Sequence, residues 1–350
     1  LVLATPTAVM AAIGQATKHG VIIKSGEALE KMGKVDTITF DKTGTLTYGK
    51  LQVSDIISFD GKMDSNDILR MAASAEAKSE HPLGKAIVNE AINKKIDVIS
   101  SSDFKMTTGK GIMAVVAGRK MLCGNERFLT ENKIVVNQEI SDTTAGFRNE
   151  GKATILVAEE NACIGIIALT DMLRPEAEMV IKQLTEMGTK TVLLTGDNKR
   201  TADYFSSKAG ISEVYAELLP DQKVESIQKL QSDNRKVCMI GDGVNDAPAL
   251  KTAEVGVAMG EMGSDIAVDA ADIALMSDDI SKVLYLKRLS NATVNTIKLS
   301  ITLSMCINFV AIILSVTGIL NPTTGALVHN VGSCFVVLIA ALLYDRKFEK

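Results

Sequence analysis

The sequence has little of what a nucleic-acid partner or a disulfide-linked fold would need. It contains no tryptophan, aromatic residues make up 4% of the chain, and the formal net charge is -4. Because it has neither a basic face nor a basic run interleaved with aromatic residues, we expect no nucleic acid as a partner. The five cysteines are scattered, with no Cys-x-x-Cys pair and no secretory signal, which argues against a disulfide framework and a zinc knuckle.

The chain also lacks an initiator methionine, and it opens on apolar residues without a processing signal. We therefore expect a fragment whose N-terminal part is missing. Residues 1–17 are predicted to form the C-terminal half of a transmembrane helix, since the sequence is apolar up to Gly14 and turns polar at Gln15. Residues 18–34 are predicted to be the cytoplasmic exit segment of that helix.

Two long apolar runs lie near the end of the chain, at residues 299–320 and 325–344. Each has the ~20 residues that a helix needs to cross ~30 Å of hydrocarbon. The connection at 321–324 is short and uncharged, so we predict an antiparallel transmembrane hairpin in a lipid bilayer; a pair of buried soluble helices is the alternative. Basic residues flank the hairpin on both outer sides, which favours cytoplasmic outer ends. These residues are Lys282, Lys287, Arg288, Lys298, Arg346, Lys347 and Lys350. We expect an integral protein of the cell membrane whose catalytic domains lie in the cytoplasm.

Between the apolar ends the pattern is α/β. Short apolar strands at 37–40, 191–194 and 237–240 each run into a loop rich in Gly and Asp and then into a helix. This pattern predicts one α/β domain that comprises residues 35–50 and 164–285. Residues 51–163 have a helix and alternating strands of their own, and they are predicted to form a second domain inserted in the first.

Polar residues with phosphoryl-transfer chemistry follow these three strands. Asp41 follows the first strand, Thr195-Gly196-Asp197 follows the second, and Asp242 follows the third. A parallel sheet brings such loops together at one edge, where Lys223 could join them. A carboxylate nucleophile, a second carboxylate for Mg²⁺, a hydroxyl and a lysine are what phosphoryl transfer requires. Each loop alone could be a structural turn, but three in order favour a phosphoryl-transfer site.

The run Asp41-Lys42-Thr43-Gly44-Thr45-Leu46-Thr47 resembles the full phosphorylation signature of the P-type ATPases. The resemblance implies a haloacid-dehalogenase-like Rossmannoid phosphorylation domain with an inserted α+β nucleotide-binding domain, a C-terminal transmembrane hairpin and a truncated N-terminal membrane helix. It makes Asp41 the residue phosphorylated from ATP, and it assigns catalytic roles to Asp41, Lys42, Thr43, Thr195, Gly196, Asp197 and Lys223. It assigns the Mg²⁺ site to Asp41, the main-chain carbonyl of Thr43, Asp242 and Asp246.

Thr43 departs from the pattern of the simple phosphatases of this fold. These enzymes usually carry a second aspartate two residues after the nucleophile, as a general acid/base. Because Thr43 cannot act as that base, we expect water to attack the aspartyl phosphate slowly.

The inserted segment carries Glu76, His81-Pro82, Gly109-Lys110-Gly111 and Gly124-Asn125. A lone His-Pro pair is commonly a surface turn. Together these features resemble the nucleotide-domain signatures of the heavy-metal P-type ATPases, and the His-Pro pair is specific to that branch. The chain has no Walker-type loop that would bind the nucleotide instead. The resemblance assigns ATP binding to Glu76, His81, Pro82, Gly109, Gly111 and Asn125.

The function implied by the resemblance is an ATP-driven heavy-metal efflux pump, seen without its actuator domain and without the Cys-Pro-Cys type motif expected upstream. A membrane-anchored haloacid-dehalogenase-like phosphatase is one alternative. A nucleotide-binding regulatory remnant is another.

The hairpin contains polar residues that could face a transport path, because polar groups in hydrocarbon are costly. The residues predicted to bind the transported cation are His329, Asn330, Ser333 and Asn308. Interhelical hydrogen bonding is the alternative for them, and Cys306 and Cys334 fit small apolar filler. The hairpin matches neither the copper pattern nor the zinc and cadmium pattern. We favour Zn²⁺ or Cd²⁺ and leave Co²⁺, Mn²⁺ and Cu⁺ open; a metallochaperone partner is not specified by the sequence.

Overall fold

The computed structural model describes residues 3–242, 244–260 and 265–348. Leu1 and Val2, the first residues of the predicted N-terminal membrane segment, lie outside the described residues, as do Gly243 and Lys350, the last of the basic residues that flank the predicted hairpin. The chain divides into two compact units. The first unit contains Leu1–Leu46, Arg174–Gly196 and Ser206–Lys350, and the second contains Thr47–Leu173 and Asp197–Phe205.

The first unit is built on a seven-stranded sheet. All its neighbouring strands are parallel except for the edge pair β1 and β13, which is antiparallel. The spatial order is β1 (Val21–Ile23), β13 (Ile273–Leu275), β12 (Val255–Ala258), β11 (Val237–Gly241), β2 (Thr37–Asp41), β9 (Lys190–Leu194) and β10 (Glu213–Tyr215). The register places Asp41 beside Leu194 and Phe40 beside Ile240. The loops that follow β2, β9 and β11 therefore leave the sheet at the same edge.

Helices cover this sheet and extend from it. Apolar side chains of β9 and β11 pack with Ile227 and Leu230 of α9 (Pro220–Ser232) and with Leu250 of α10 (Ala247–Thr252) in one buried cluster. The helices that belong to the first unit are α1 (Ala4–Lys18), α2 (Gly26–Lys34), α7 (Ala177–Glu186), α9 (Pro220–Ser232), α10 (Ala247–Thr252), α11 (Asp265–Ala270), α12 (Ser281–Val316) and α13 (Pro322–Ala341). One more helix, α8, spans Lys199–Ala209.

The second unit is an antiparallel six-stranded sheet with helices on both faces. Its strands alternate between two cores, as a two-residue period requires: Met121 and Cys123 enter one cluster, while Leu122 enters the other. The strand order is β3 (Thr47–Ser58), β8 (Ala162–Leu173), β7 (Ala153–Glu159), β6 (Arg119–Gly124), β5 (Gly111–Val116) and β4 (Ser101–Thr107). The helices are α3 (Ser65–Glu76), α4 (Pro82–Asn93), α5 (Glu126–Glu131) and α6 (Gln138–Asn149).

Two helices, α12 and α13, are long and apolar enough to cross a membrane, and most of their apolar stretches are exposed. This pair is consistent with the predicted membrane hairpin. The structure differs in detail, because α12 begins at Ser281 and ends at Val316. Gly318 follows in the left-handed conformation that terminates helices (φ 77°).

The predicted turn at 321–324 is therefore wrong in its position, since the two helices are joined by residues 317–321. Asn321 caps α13 by accepting a hydrogen bond from the Thr324 amide at 2.9 Å. Pro322 occupies the first turn of that helix, where its missing amide hydrogen is no loss.

All five cysteines are free. Cys123 and Cys238 are buried, and burial raises the pKa of both thiols. Burial also raises the pKa of Cys163, to about 11. Cys306 and Cys334 lie exposed on the two apolar helices.

Candidate active site

The site begins at Asp41, the last residue of the fully buried strand β2. Lys42 is buried, while Thr43 is exposed in the loop that follows. Gly44 has a φ of 73°, and a Cβ added there would lie 1.6 Å from Oδ2 of Asp242. Only glycine allows this loop to pass so close to the neighbouring carboxylate.

Lys223, on the first turn of α9, joins two carboxylates. Its Nζ lies 2.5 Å from Oδ1 of Asp41 and 2.7 Å from Oδ1 of Asp246. All three side chains are buried. Burial alone would lower the pKa of Lys223, but the charges of the two aspartates outweigh it and raise that pKa. Lys223 therefore stays protonated and holds Asp41 in place.

Three carboxylates converge at the same point. One oxygen from each of Asp41, Asp242 and Asp246 lies within 4.8 Å of the other two. Burial and the charge of Asp246 raise the pKa of Asp41 to about 7 and that of Asp242 to about 6. Mg²⁺ prefers such hard oxygen ligands, and a divalent charge would offset the negative charge that Lys223 leaves unbalanced. The donor set thus fits the predicted Mg²⁺ site.

Arg174, which was not predicted from the sequence, binds the loop that follows Asp41. Its side chain is 4% exposed. Its Nε donates to the Thr45 carbonyl at 3.0 Å and its Nη2 donates to the Gly44 carbonyl at 3.2 Å. The only signal in the sequence was a single cation at the end of a long apolar strand, and such a residue is usually a surface charge.

The predicted loop Thr195-Gly196-Asp197 begins directly after Leu194, which pairs with Asp41 in the sheet. Thr195 is buried, and its amide donates to the Tyr215 carbonyl at 3.0 Å while its own carbonyl accepts from Leu218 at 3.1 Å. Gly196 is exposed, and Asp197 falls in the second unit. Contact of these three residues with a phosphoryl group stays a prediction.

The second unit contains a cavity of about 300 Å³. Five of the six residues predicted to bind ATP line it, and they are Glu76, His81, Gly109, Gly111 and Asn125. Pro82 is absent from the lining and instead occupies the first turn of α4. The volume is at the lower end of the ~300–1,000 Å³ typical of small-molecule sites.

Backbone geometry shapes this cavity. A Cβ on Gly111 would lie 2.3 Å from the Cys123 carbonyl oxygen, so the position requires glycine. Asn125 donates to the Gly109 carbonyl at 3.1 Å and caps α5 by accepting from the Phe128 amide at 2.9 Å. His81 caps α4 by accepting a hydrogen bond from the Leu83 amide.

Glu76 is the buried acid of the cavity, with 4% of its surface exposed. Burial raises the pKa of Glu76 to about 7, although a hydrogen bond with Ser79 opposes the rise. A Cβ on Gly84 would lie 2.4 Å from the carboxylate oxygen Oε2, so Gly84 makes room for this carboxyl group.

The residues predicted to bind the transported cation lie on the apolar helices. Nδ1 of His329 lies 3.2 Å from Oδ1 of Asn308, which joins α13 to α12. His329, Asn330 and Ser333 line an open cavity of about 640 Å³ together with Cys334. Asn308 is not part of that lining. Cation binding by these residues stays a prediction.

Residues 35–254 match the family described as haloacid dehalogenase-like hydrolase. The chain belongs to this family. The similar proteins include P-type ATPases that export or transport heavy metals, as the resemblance implied. It is 36% identical over 348 residues to a zinc-exporting P-type ATPase of Mycobacterium marinum, covering 99% of this chain and 48% of the relative. It is 38% identical over 345 residues to a copper-exporting P-type ATPase of Bacillus subtilis, covering 99% of this chain and 43% of the relative.

A solved structure gives the same result for the fold. The crystal structure of a zinc-transporting PIB-type ATPase in the E2.Pi state matches with a TM-score of 0.90 and 33% identity, covering 98% of this chain and 55% of that one. This match confirms the predicted fold class. It also confirms that the chain resembles the C-terminal catalytic part of the heavy-metal P-type ATPases. The chain spans about half the length of the curated relatives it matches.

Position 43 offers no acid or base group beside Asp41. Thr43 is exposed two residues after Asp41 and offers a hydroxyl that has no acidity near neutral pH. Asp246, the other buried carboxylate beside Asp41, shares the cation of Lys223. Phosphorylation of Asp41 would leave it next to a lysine and without a free base at position 43.

Proposed function

We propose that this chain is the catalytic part of an ATP-driven heavy-metal efflux pump that forms an aspartyl phosphate at Asp41. The single observation that carries the proposal is the placement of Asp41, in contact with Lys223 and within one cluster of carboxylate oxygens. The family and the relatives support the same chemistry.

In the proposed reaction a carboxylate oxygen of Asp41 attacks the γ-phosphorus of ATP. The bond from this phosphorus to the β–γ bridging oxygen breaks, ADP leaves, and an acyl phosphate forms on Asp41. Lys223 holds the attacking carboxylate in position and neutralises charge on the phosphoryl oxygens. Asp41, Asp242, Asp246 and the Thr43 carbonyl would hold Mg²⁺, which supplies charge stabilisation when bound.

ATP would be held by the cavity of the second unit. Glu76, His81, Gly109, Gly111 and Asn125 line it. We propose Pro82 as a residue that acts indirectly, by starting α4 so that His81 keeps its place at the cavity. Roles for Lys42, Thr195, Gly196 and Asp197 at the phosphoryl group complete the proposal.

For the cargo we propose a soft or borderline divalent cation, Zn²⁺ or Cd²⁺, with Co²⁺, Mn²⁺ and Cu⁺ as the other candidates. His329, Asn330, Ser333 and Asn308 are the proposed ligands on a bilayer-spanning hairpin of the cell membrane. An imidazole with oxygen donors suits a borderline cation better than Cu⁺, which prefers thiolates.

The test is labelling of the protein with γ-labelled ATP and Mg²⁺, followed by acid precipitation. We expect acid-stable label on the parent and none on Asp41→Asn. Asp97→Asn, which removes an exposed carboxylate of the second unit, is the control and should label like the parent. Equal labelling of Asp41→Asn would refute the proposal, and rapid metal-independent turnover of simple phosphate esters would favour a phosphatase.

A further inference from the structure

Lys287 is a buried lysine that the proposed catalytic machinery does not use. Its side chain is 3% exposed on α12. Its Nζ donates to the Val35 carbonyl at 2.6 Å and to the Met32 carbonyl at 3.1 Å. Among the residues that the structure describes, no carboxylate forms an ion pair with it.

A buried ammonium group that donates to two carbonyls, with no counter-ion among the described residues, carries a large desolvation cost. An apolar side chain of similar length would avoid the desolvation cost. The two carbonyls belong to the C-terminal end of α2, where the helix dipole favours a cation. The Met32 carbonyl also accepts a long bond from the Val35 amide, at 3.3 Å. Lys287 therefore attaches α12 to the end of α2 through directional bonds rather than through packing alone.

The two helices also touch at backbone distance beside this contact. A Cβ on Gly33 would lie 2.8 Å from the Ser290 carbonyl oxygen and 2.5 Å from Cγ2 of Val294. Gly33 thus allows a close crossing that holds α2 against the two turns of α12 that follow Lys287. We call Lys287, Gly33 and the carbonyls of Met32 and Val35 the α2–α12 joint.

The joint connects two different parts of the first unit. On one side, two residues separate the end of α2 from β2, and β2 runs about 16 Å, at ~3.3 Å per residue, to end at Asp41. On the other side, α12 continues as one helix of 36 residues into the exposed apolar stretch that carries Asn308. A movement of α12 therefore reaches β2 through this joint.

We infer that Lys287 is a positioning residue that couples the apolar hairpin to the phosphorylation of Asp41. The inference rests on the proposed function. Zinc binding in the hairpin shifts α12, and the joint transfers the shift to the strand that presents Asp41. Lys287 contacts neither the nucleotide cavity nor the carboxylate cluster, so its loss should spare the chemistry and remove the response to the cation.

The experiment compares two labelling reactions on the membrane-embedded protein that contains this chain. The first measures phosphoenzyme from γ-labelled ATP with and without Zn²⁺. The second measures phosphoenzyme from labelled inorganic phosphate and Mg²⁺ without Zn²⁺, in which the Asp41 carboxylate displaces water from phosphate. Because the second reaction does not depend on the cation, it reports whether the site is folded and competent.

For Lys287→Met we expect the zinc stimulation of ATP labelling to fall at least tenfold, roughly the size of a typical coupling between sites. Labelling from phosphate should stay within about twofold of the parent. Lys282→Met, which removes a partly exposed lysine from the same helix, should match the parent in both reactions.

Gly33→Ala attacks the same joint from the other helix and should also reduce the zinc stimulation. Since both changes break one contact, the double variant should lose little more than either single variant. An unchanged stimulation ratio in Lys287→Met, or an equal loss in both labelling reactions, overturns the coupling role. A parent that forms no phosphoenzyme under any condition instead overturns the proposed function, and the inference with it.

Discussion

The raised pKa of Glu76 predicts that the second unit loses stability as the pH rises. Glu76 titrates near 7 in the folded protein and near its ordinary value of 4.5 in the unfolded chain. The folded state therefore binds the proton more tightly, and stability falls as the pH rises from 4.5 towards 7. At ~1.4 kcal/mol for each tenfold change in proton affinity, the loss is about 3 kcal/mol at pH 8.

Glu76→Gln keeps the shape of the side chain and cannot ionise. We expect this variant to be more stable than the parent by about 3 kcal/mol at pH 8 and equal to it at pH 4, where the parent carboxyl is neutral in both states. Asp41 and Asp242, which also have raised pKa values, lie in the first unit and are common to both proteins. Their contribution cancels in the difference.

Amide hydrogen exchange in α3, which ends at Glu76, measures this local stability. Exchange is followed from pH 4 to pH 8 without nucleotide, and protection is corrected for the intrinsic rate at each pH. Glu80→Gln is the matched control, since Glu80 is exposed four residues away. Parallel pH profiles for Glu76→Gln and the parent would show that the buried carboxyl carries no cost, which contradicts the reasoning.

Three further substitutions separate the phosphoryl site from the nucleotide cavity. Arg174→Met removes charged donors to the Gly44 loop, each worth about 1.5–3 kcal/mol, so labelling from ATP should fall at least about tenfold with nucleotide affinity unchanged. Gly44→Ala would place a methyl group 1.6 Å from Asp242 and should abolish labelling while equilibrium dialysis still detects ATP binding. Gly111→Ala, whose methyl group would meet the Cys123 carbonyl at 2.3 Å, should have the opposite effect: weaker ATP binding with labelling from inorganic phosphate preserved.

The sequence was sufficient for the fold class because the strands before Asp41, Thr195 and Asp242 are short, apolar and followed by loops that only a parallel sheet would align. The signature run also identified Asp41, and the structure brings Asp242, Asp246 and Lys223 to it. These features are local in sequence or repeat a known motif, so pattern analysis could recover them. The domain boundaries stay predictions.

Contacts between distant elements could not be predicted in the same way. Arg174 binds carbonyls about 130 positions earlier in the chain, and Lys287 binds carbonyls more than 250 positions earlier. Nothing in the neighbourhood of either residue distinguishes it from a surface cation, and Lys287 was counted among the charges that flank the hairpin. The hairpin turn was misplaced because hydropathy follows the apolar run, while Gly318 and Asn321 set where the helices end.

The buried thiols have a chemical consequence under the proposed function, because the proposed cargo is a thiophilic ion. Soft cations attack thiolates, so a reactive cysteine near the catalytic residues would be a target for such an ion. Burial keeps Cys123 and Cys238 protonated in the cores of the two units, and Cys163 is protected in the same way. Under the proposed function, burial therefore protects these three thiols from the cargo, and the two exposed thiols, those of Cys306 and Cys334, lie on the apolar helices.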